Sequence, residues 1–253
     1  MDDRLQRERV FHDARFGEDS RARPADRYYA INAASTRFFR ETMEEATPGA
    51  RFLDYGCGEA ADCALHAARI GHDVIAVDIS PVAIDQARER AQRAGVADRI
   101  DFKVMNAEEL ELPDNSFDVV TGLGVIHHLD IESSMREVAR VLKPEGYAVF
   151  VEPLGHNPAI NLFRRRTPEQ RTADEHPLVV DDFELMRHHF GRLETTYFHL
   201  LGLLALPLRG RSFFDDSVRV LDAADRSLFR RIKATRRYAW MVGLRLARPQ
   251  RAV

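Results

Sequence analysis

The sequence predicts an α/β fold with a doubly wound, mostly parallel sheet and helices on both faces. Three observations carry this. The stretch Leu53-Asp54-Tyr55-Gly56-Cys57-Gly58-Glu59-Ala60 ends an apolar run in an acid, turns on two glycines and enters a helical pattern of Ala60, Ala61, Ala64, Leu65 and Ala68. A second apolar run, Asp73-Val74-Ile75-Ala76-Val77-Asp78, also ends in an acid, 24 residues after Asp54. Further runs at 100–105, 117–123 and 147–151 alternate with helical stretches, which is the pattern of a parallel sheet.

Taken in order, residues 4–16 and 25–46 have helical spacing, with Tyr28, Ile31, Phe38, Phe39 and Met43 as apolar positions, and residues 17–24 link them. Residues 1–46 are expected to form a helical lid ahead of a domain spanning 47–253. At the end of the first strand, Gly56 and Gly58 can take angles that a side chain forbids and let a ligand approach the main chain. The first amides of the next helix offer it unpaired donors. Residues 56–61 also fit G-x-G-x-x-A, a dinucleotide fingerprint, so an NAD-dependent oxidoreductase stands as an alternative.

Beyond the second strand, Ser80 is placed to cap a helix, Pro81 occupies its first position and Gly95 ends it. A carboxylate at that strand tip, Asp78, can accept both hydroxyls of a ribose. Pro113-Asp114-Asn115-Ser116 then turns into the fourth strand, residues 132–142 form a helix, and Pro144-Glu145-Gly146 turns into the fifth.

At 253 residues and 45% hydrophobic content the chain can bury a full core in one α/β domain. Residues 1–27 are charged throughout, and no run of about 18 apolar residues occurs. A cytoplasmic protein is expected, without a signal peptide or a transmembrane span. Cys57 and Cys63 are too few for a disulfide framework or a four-ligand zinc site, read as packed small groups, and leave no metal expected. The net charge of -3 divides into -11 for residues 1–208 and +8 for residues 209–253. That basic end suits an anionic substrate, a membrane surface or nucleic acid, and equally a solvated helix.

The succession LDYGCG, VIAVDIS, NAEELELPDNSFDVV, GVIHHLD and REVARVLKPEGYAVFVEP, over residues 50–155, resembles the class I S-adenosylmethionine-dependent methyltransferases. The likeness lies in the methyltransferase-11 subgroup, which includes the quinone-biosynthesis methyltransferases. It implies a seven-stranded Rossmann-like sheet of five parallel strands and a C-terminal antiparallel pair, using S-adenosylmethionine and releasing S-adenosylhomocysteine. It further implies that Asp54, Gly56 and Gly58 hold the methionine end of the cofactor, Asp78 the ribose and Ile79 the adenine face. Asn106 and Ala107 would meet the adenine edge through a side chain and a backbone amide, and Leu123 and Gly124 would line the floor beneath the sulfonium. Tyr28, Cys57 and Glu108 complete the implied cofactor-binding set. Ala60 stands where many relatives have a third glycine, and Asn106 where many have aspartate; the Asn106 carbonyl oxygen can still accept from an exocyclic amine.

In an open parallel sheet, ligands lie outside the carboxyl ends of the strands, so residues 124–130 and an acceptor loop at 152–178 are expected to shape the second pocket. Methyl transfer requires alignment, exclusion of water and, for a hydroxyl acceptor, removal of a proton. Histidine suits that last task, and His156, His176 and His128 are the candidates. For a carboxylate acceptor, the guanidinium groups of Arg164, Arg165 and Arg166 become substrate-binding instead.

Residues 181–191 read as a capped helix, 192–199 as a sixth strand and 238–246 as an antiparallel seventh. Between the two strands, an insertion at 200–236 starts almost wholly apolar and continues as a basic helix. It is expected to cover an apolar acceptor pocket, with weak membrane-surface contact as the alternative. The expected activity is O-methylation of a small-molecule or modified-peptide acceptor in natural-product biosynthesis, with no nucleic acid as partner; the sequence sets no oligomeric state. C-methylation of a lipid-tailed quinone and a non-catalytic, cofactor-binding partner subunit are the other readings.

Overall fold

Seven strands make one sheet in the order β3-β2-β1-β4-β5-β7-β6. They are β1 (Arg51–Tyr55), β2 (Asp73–Asp78), β3 (Ile100–Val104), β4 (Phe117–Leu123), β5 (Leu142–Pro153), β6 (Phe190–Phe198) and β7 (Met241–Pro249). The computed structural model describes residues 3–17, 29–172 and 174–250. Strands β1 to β5 pair in parallel, and β7 runs antiparallel between β5 and β6. The fold class expected from the sequence is therefore the one observed. From β1 the chain first builds outward through β2 and β3, then returns to add β4 and β5 on the other side. That reversal opens a crevice at the carboxyl ends of β1 and β4, where a ligand has room.

Eight α-helices are described: α1 (Asp3–Gly17), α2 (Ala33–Glu44), α3 (Asp62–Arg69), α4 (Pro81–Arg93), α5 (Ile131–Val141), α6 (Pro158–Arg166), α7 (Asp182–His189) and α8 (Phe214–Arg231). Several begin where a side chain satisfies an otherwise unpaired amide. Ser80 Oγ accepts from Ala83 N at 3.1 Å, Asp130 Oδ1 from Ser133 N at 2.8 Å, and Asn157 Oδ1 from the amides of Ala159 and Ile160 at 3.0 and 3.1 Å. Alternate residues of the parallel strands feed two cores. Phe52, Val74, Val119 and Val149 pack on one face with Met43, Ala64 and Ile84, while Leu53, Tyr55, Val77, Val120 and Phe150 pack on the other with Met135 and Leu244.

Three segments differ from expectation. The helix read over 181–191 carries no side-chain cap at Asp181 and passes at Phe190 directly into β6. The Pro144-Glu145-Gly146 turn is a bulge within a continuous β5, because the pairing steps from Phe117 with Leu142 to Val119 with Tyr147. The insertion at 200–236 does not stand over the ligand crevice. Its apolar start coils as a 3-10 helix (Leu201–Leu208) whose first amides, from Leu200, Leu201 and Gly202, all donate to the Asp225 carboxylate on α8 at 2.8–3.2 Å. Leu203, Leu206, Phe214 and Leu221 then pack against the core that holds Ile31, Phe198 and Trp240. Among the described residues, no helix is long and apolar enough to cross a membrane.

Gly122, near the end of β4, has no room for a side chain: a Cβ there would fall 2.7 Å from Val125 Cγ1 and 2.8 Å from the Phe150 ring. Gly122→Ala should lower unfolding free energy by about 1–3 kcal/mol through overpacking, read from urea denaturation. A midpoint unmoved from that of the parent chain would contradict this packing.

Candidate cofactor and acceptor site

Gly56 follows β1 with φ +73, and a Cβ on it would fall 2.3 Å from Val125 Cγ2. Its lack of a side chain is thus demanded by Val125, which wedges between Gly56 and Gly122, as well as by any ligand nearby. Val125 opens the turn after β4, and a buried carboxylate at the end of β5 holds that turn. Glu152 Oε1 accepts from the amides of Val125 and Ile126, each at 2.9 Å, and Oε2 lies 2.7 Å from His127 Nδ1. Burial pulls the Glu152 carboxyl up, with these amides opposing, and burial pulls the His127 imidazole down. A neutral His127 therefore donates Nδ1–H to the carboxylate.

Asp78 closes β2. Its Oδ2 accepts from Gly58 N and its Oδ1 from Ser80 N, both at 2.9 Å, while burial raises its pKa against the pull of those amides. Each oxygen retains a lone pair that a ribose hydroxyl can use. Tyr55 donates its hydroxyl to the carbonyl of Ala107, which fixes the segment after β3 beside it.

A cavity of about 1000 Å³ opens at these strand ends. Gly56, Cys57, Gly58, Asp78, Ile79, Asn106, Ala107, Leu123 and Gly124 all line it, so the structure brings nine of the expected cofactor residues to one space. Two others lie elsewhere. Asp54 is buried behind the glycine turn, where Oδ2 accepts from Ala64 N at 2.9 Å and so anchors the start of α3. Glu108 faces α1, pairing with Arg4 and accepting from Asp130 N at 2.7 Å. Tyr28 lies outside the described residues. At Asn106 the carbonyl oxygen already accepts from Glu108 N at 3.0 Å, leaving one of its lone pairs and the amide donors for a base edge.

Of the three candidate histidines, only His128 is in the cavity wall. His156 sits in the bend before α6, outside the wall, with Nε2 buried and unpaired. His176 turns its ring outward to Asp182, 3.1 Å away, and serves through its amide, which donates to the His127 carbonyl at 2.7 Å. Arg164 lines the cavity with Nη1 buried and unpaired, whereas Arg165 and Arg166 are exposed on the outer side of α6. No residue of 200–236 reaches the wall; Phe11, Phe16, Phe163, Trp240 and Met241 supply its apolar part.

The sequence reading missed two residues on α1. Glu8 and His12 both line the cavity, one helical turn apart, and meet His128 there. The helix is tied down along its length: Arg4 donates to the carbonyl of His128 at 3.1 Å, Ser80 Oγ donates to Asp13, Gln86 donates to the carbonyl of Phe16 at 2.7 Å, and Arg7 pairs with Asp174 at 2.9 Å. Burial would raise the Glu8 carboxyl, but the neighbouring imidazoles of His12 and His128 and the Thr172 hydroxyl outweigh it and hold the group below the usual carboxylate range. Helical spacing of Glu8 and His12 was the available signal; nothing local showed which face would be covered. The arrangement can hold a nucleoside at Asp78, Ile79, Asn106 and Ala107, with a second molecule against α1 and α6.

Residues 53–150 match the model of a methyltransferase domain. The chain is 40% identical over 120 residues to 27-O-demethylrifamycin SV methyltransferase of Amycolatopsis mediterranei, a match covering 42% of this chain and 44% of the relative. It is 33% identical over 138 residues to a ubiquinone biosynthesis O-methyltransferase of Xanthomonas axonopodis, covering 54% and 55%. The chain spans about half the length of the curated relatives it matches. Among solved structures, geranyl diphosphate C-methyltransferase from Streptomyces coelicolor, in complex with Mg2+, geranyl diphosphate and S-adenosylhomocysteine, superposes with a TM-score of 0.67 over 98% of each chain at 13% identity. Phosphoethanolamine N-methyltransferase 2 of Haemonchus contortus does so with a TM-score of 0.68 over 96% of this chain and 60% of that one, at 20% identity. The last two establish a shared fold.

Burial pushes the Asp54 carboxyl up to about 7, against the Ala64 amide that favours its charge. A carboxyl raised on folding binds its proton more tightly in the folded chain, so its contribution to stability falls as pH rises through the raised value. The chain should therefore lose stability relative to Asp54→Asn between about pH 4 and 7, with the gap level above that window. Chemical denaturation of both proteins across that range checks it; a gap independent of pH would contradict it.

Proposed function

Because the chain belongs, through residues 53–150, to the class I S-adenosylmethionine-dependent methyltransferase family, we propose that it moves a methyl group from S-adenosylmethionine to a hydroxyl of an apolar, medium-sized acceptor in natural-product biosynthesis. One observation carries this reading: Asp78, proposed to take the ribose, and the polar cluster of Glu8, His12 and His128 line the same cavity. When bound, the cofactor supplies the methyl group on a sulfonium, already activated for transfer.

The work left to the protein is to bind, orient, exclude water and accept a proton. Asp78 takes the ribose hydroxyls, Ile79 covers the base, and Asn106 with Ala107 meets its edge. Residues 1–46 act as the lid: α1 and Tyr29, Ser35, Phe39 and Met43 of the following segment all contribute to the cavity wall. Phe163, Trp240 and Met241 provide the apolar surface for the acceptor, and Arg164, half-buried with Nη1 turned in, anchors a carbonyl or carboxylate on it. His128 replaces His156 and His176 as the histidine that meets the acceptor hydroxyl, since it alone of the three faces the cavity. The O-methyltransferase names of the rifamycin and ubiquinone relatives support transfer to oxygen. Methylation of a quinone-type ring carbon is the second reading, supported by those apolar walls and by C-methyltransferases of ubiquinone and menaquinone biosynthesis among the relatives.

Asp78→Ala should weaken S-adenosylhomocysteine binding roughly 100-fold or more, since two charge-assisted hydrogen bonds are lost. Calorimetry of the variant reads this directly, and an unaltered affinity would remove Asp78 from the ribose site. Isotope-labelled methyl donor, offered with hydroxylated apolar acceptors and with quinols, separates the two transfer modes. Label on oxygen supports the first reading, and label on a ring carbon overturns it in favour of the second.

A further inference from the structure

Three side chains of metal-binding type converge on the cavity from separate parts of the chain. Glu8 and His12 come from α1 and His128 from the turn that Glu152 holds. One ligand atom from each lies within 4.8 Å of the others. His12 Nε2 is 3.4 Å and His128 Nδ1 is 3.3 Å from Glu8 Oε2. These contacts are electrostatic and longer than hydrogen bonds: Glu8 Oε2 and His128 Nδ1 are both buried and meet no hydrogen-bond geometry. Charge-assisted hydrogen bonds would bring such atoms to about 2.7–2.9 Å. Ligands arranged tetrahedrally around an ion at about 2.0–2.1 Å stand about 3.3–3.4 Å apart, and the two separations from Glu8 Oε2 to the imidazole nitrogens have that length. The surroundings suit ligation as well. Thr172, in the acceptor loop, donates its hydroxyl to Glu8 Oε1, and Arg4 holds the backbone carbonyl of His128, so both ligands are oriented from behind.

We propose that Glu8, His12 and His128 form a site for a divalent transition-metal ion of the zinc type, whose open position faces the cavity and takes the acceptor oxygen. Two imidazoles and one carboxylate favour such an ion over magnesium or calcium, which prefer oxygen ligands throughout. Three protein ligands and one vacant position is the arrangement of a catalytic metal, not a structural one. The inference rests on the methyl-transfer reading and deepens it: the acceptor carries an oxygen that can coordinate. Coordination lowers the pKa of the acceptor O–H, so that with His128 engaged on the ion the proton leaves to solvent and this histidine acts through the ion in place of accepting the proton itself. The oxygen pair then forms the bond to the methyl carbon while the carbon–sulfur bond breaks and its electrons go to sulfur. A dication with Glu8 and a deprotonated oxygen is neutral overall, so the site adds no net positive charge beside a sulfonium.

The test uses the untagged full chain, stripped with a chelator and titrated with Zn2+ by calorimetry and with Co2+ by its visible ligand-field absorption. The expected result is one saturable site per chain, with affinity reduced at least about 100-fold in Glu8→Gln and in His128→Ala, and about 10–100-fold in Thr172→Val. His189→Ala, altering a surface histidine paired with Glu132, should bind as the parent does. S-adenosylhomocysteine titration of every variant shows that its fold persists and tests the cofactor reading separately. Absence of saturable metal binding, or equal binding by Glu8→Gln and the parent chain, would overturn the metal site while leaving the methyl-transfer reading standing. Metal binding without any binding of S-adenosylhomocysteine would sink the methyl-transfer reading and, with it, the proposed role of the ion.

Discussion

The site depends on one buried carboxylate. Glu152, at the end of β5, gathers the amides of Val125 and Ile126 and the ring of His127, and so fixes the turn that follows β4. A carboxylate without solvent is costly unless its lone pairs are met, and here three donors meet them. Because that turn is pinned, Val125 can be driven between Gly56 and Gly122, where any side chain would collide with it. Gly124 and His128 then face the cavity, one on each side of the wedge. The neighbouring strand tips β1, β4 and β5 are thereby locked into one surface, and the ligand-facing groups inherit its rigidity.

The second determinant is the docking of α1. The helix reaches the sheet through polar ties at both ends, to Glu108 and the His128 carbonyl near its start and to Ser80 and Gln86 near its end. Such partly exposed ties are individually weak, and a helix held by them can leave without unfolding the sheet. That suits the lid proposed for this helix, which would admit a cofactor and an acceptor and then exclude water. Glu8 and His12 meet His128 through this seating of α1, so the polar cluster depends on it.

The sheet was legible because its signals are local. Apolar runs ending in Asp54 and Asp78, the glycine turn and the Ser80-Pro81 helix start each follow from short-range chemistry, and nine of the residues expected to meet a cofactor line one cavity at the turns they define. Legibility failed where the outcome depended on which distant surface covers a segment. Glu8 and His12 sit in a helix whose spacing marks it as part of a lid but does not show which of its faces turns inward; the seating of α1 buries Glu8 and half-buries His12. His156 stands just after β5, as a base might, but Asn157 starts α6 at the next residue and the histidine remains outside the cavity wall. The apolar start of the 200–236 insertion found a partner in the core beside Ile31 and Trp240 instead of in the acceptor pocket, because Asp225 draws its first amides together there.

The most direct test of the account is a calorimetric titration of the full chain with S-adenosylhomocysteine, with NADH titrated in parallel. The account predicts saturable binding of one S-adenosylhomocysteine per chain and none of NADH, since Asp78, Ile79, Asn106 and Ala107 are proposed to hold a single adenosine in a cavity they line together. Saturable NADH binding with no S-adenosylhomocysteine binding would contradict it and return the glycine turn to the dinucleotide reading.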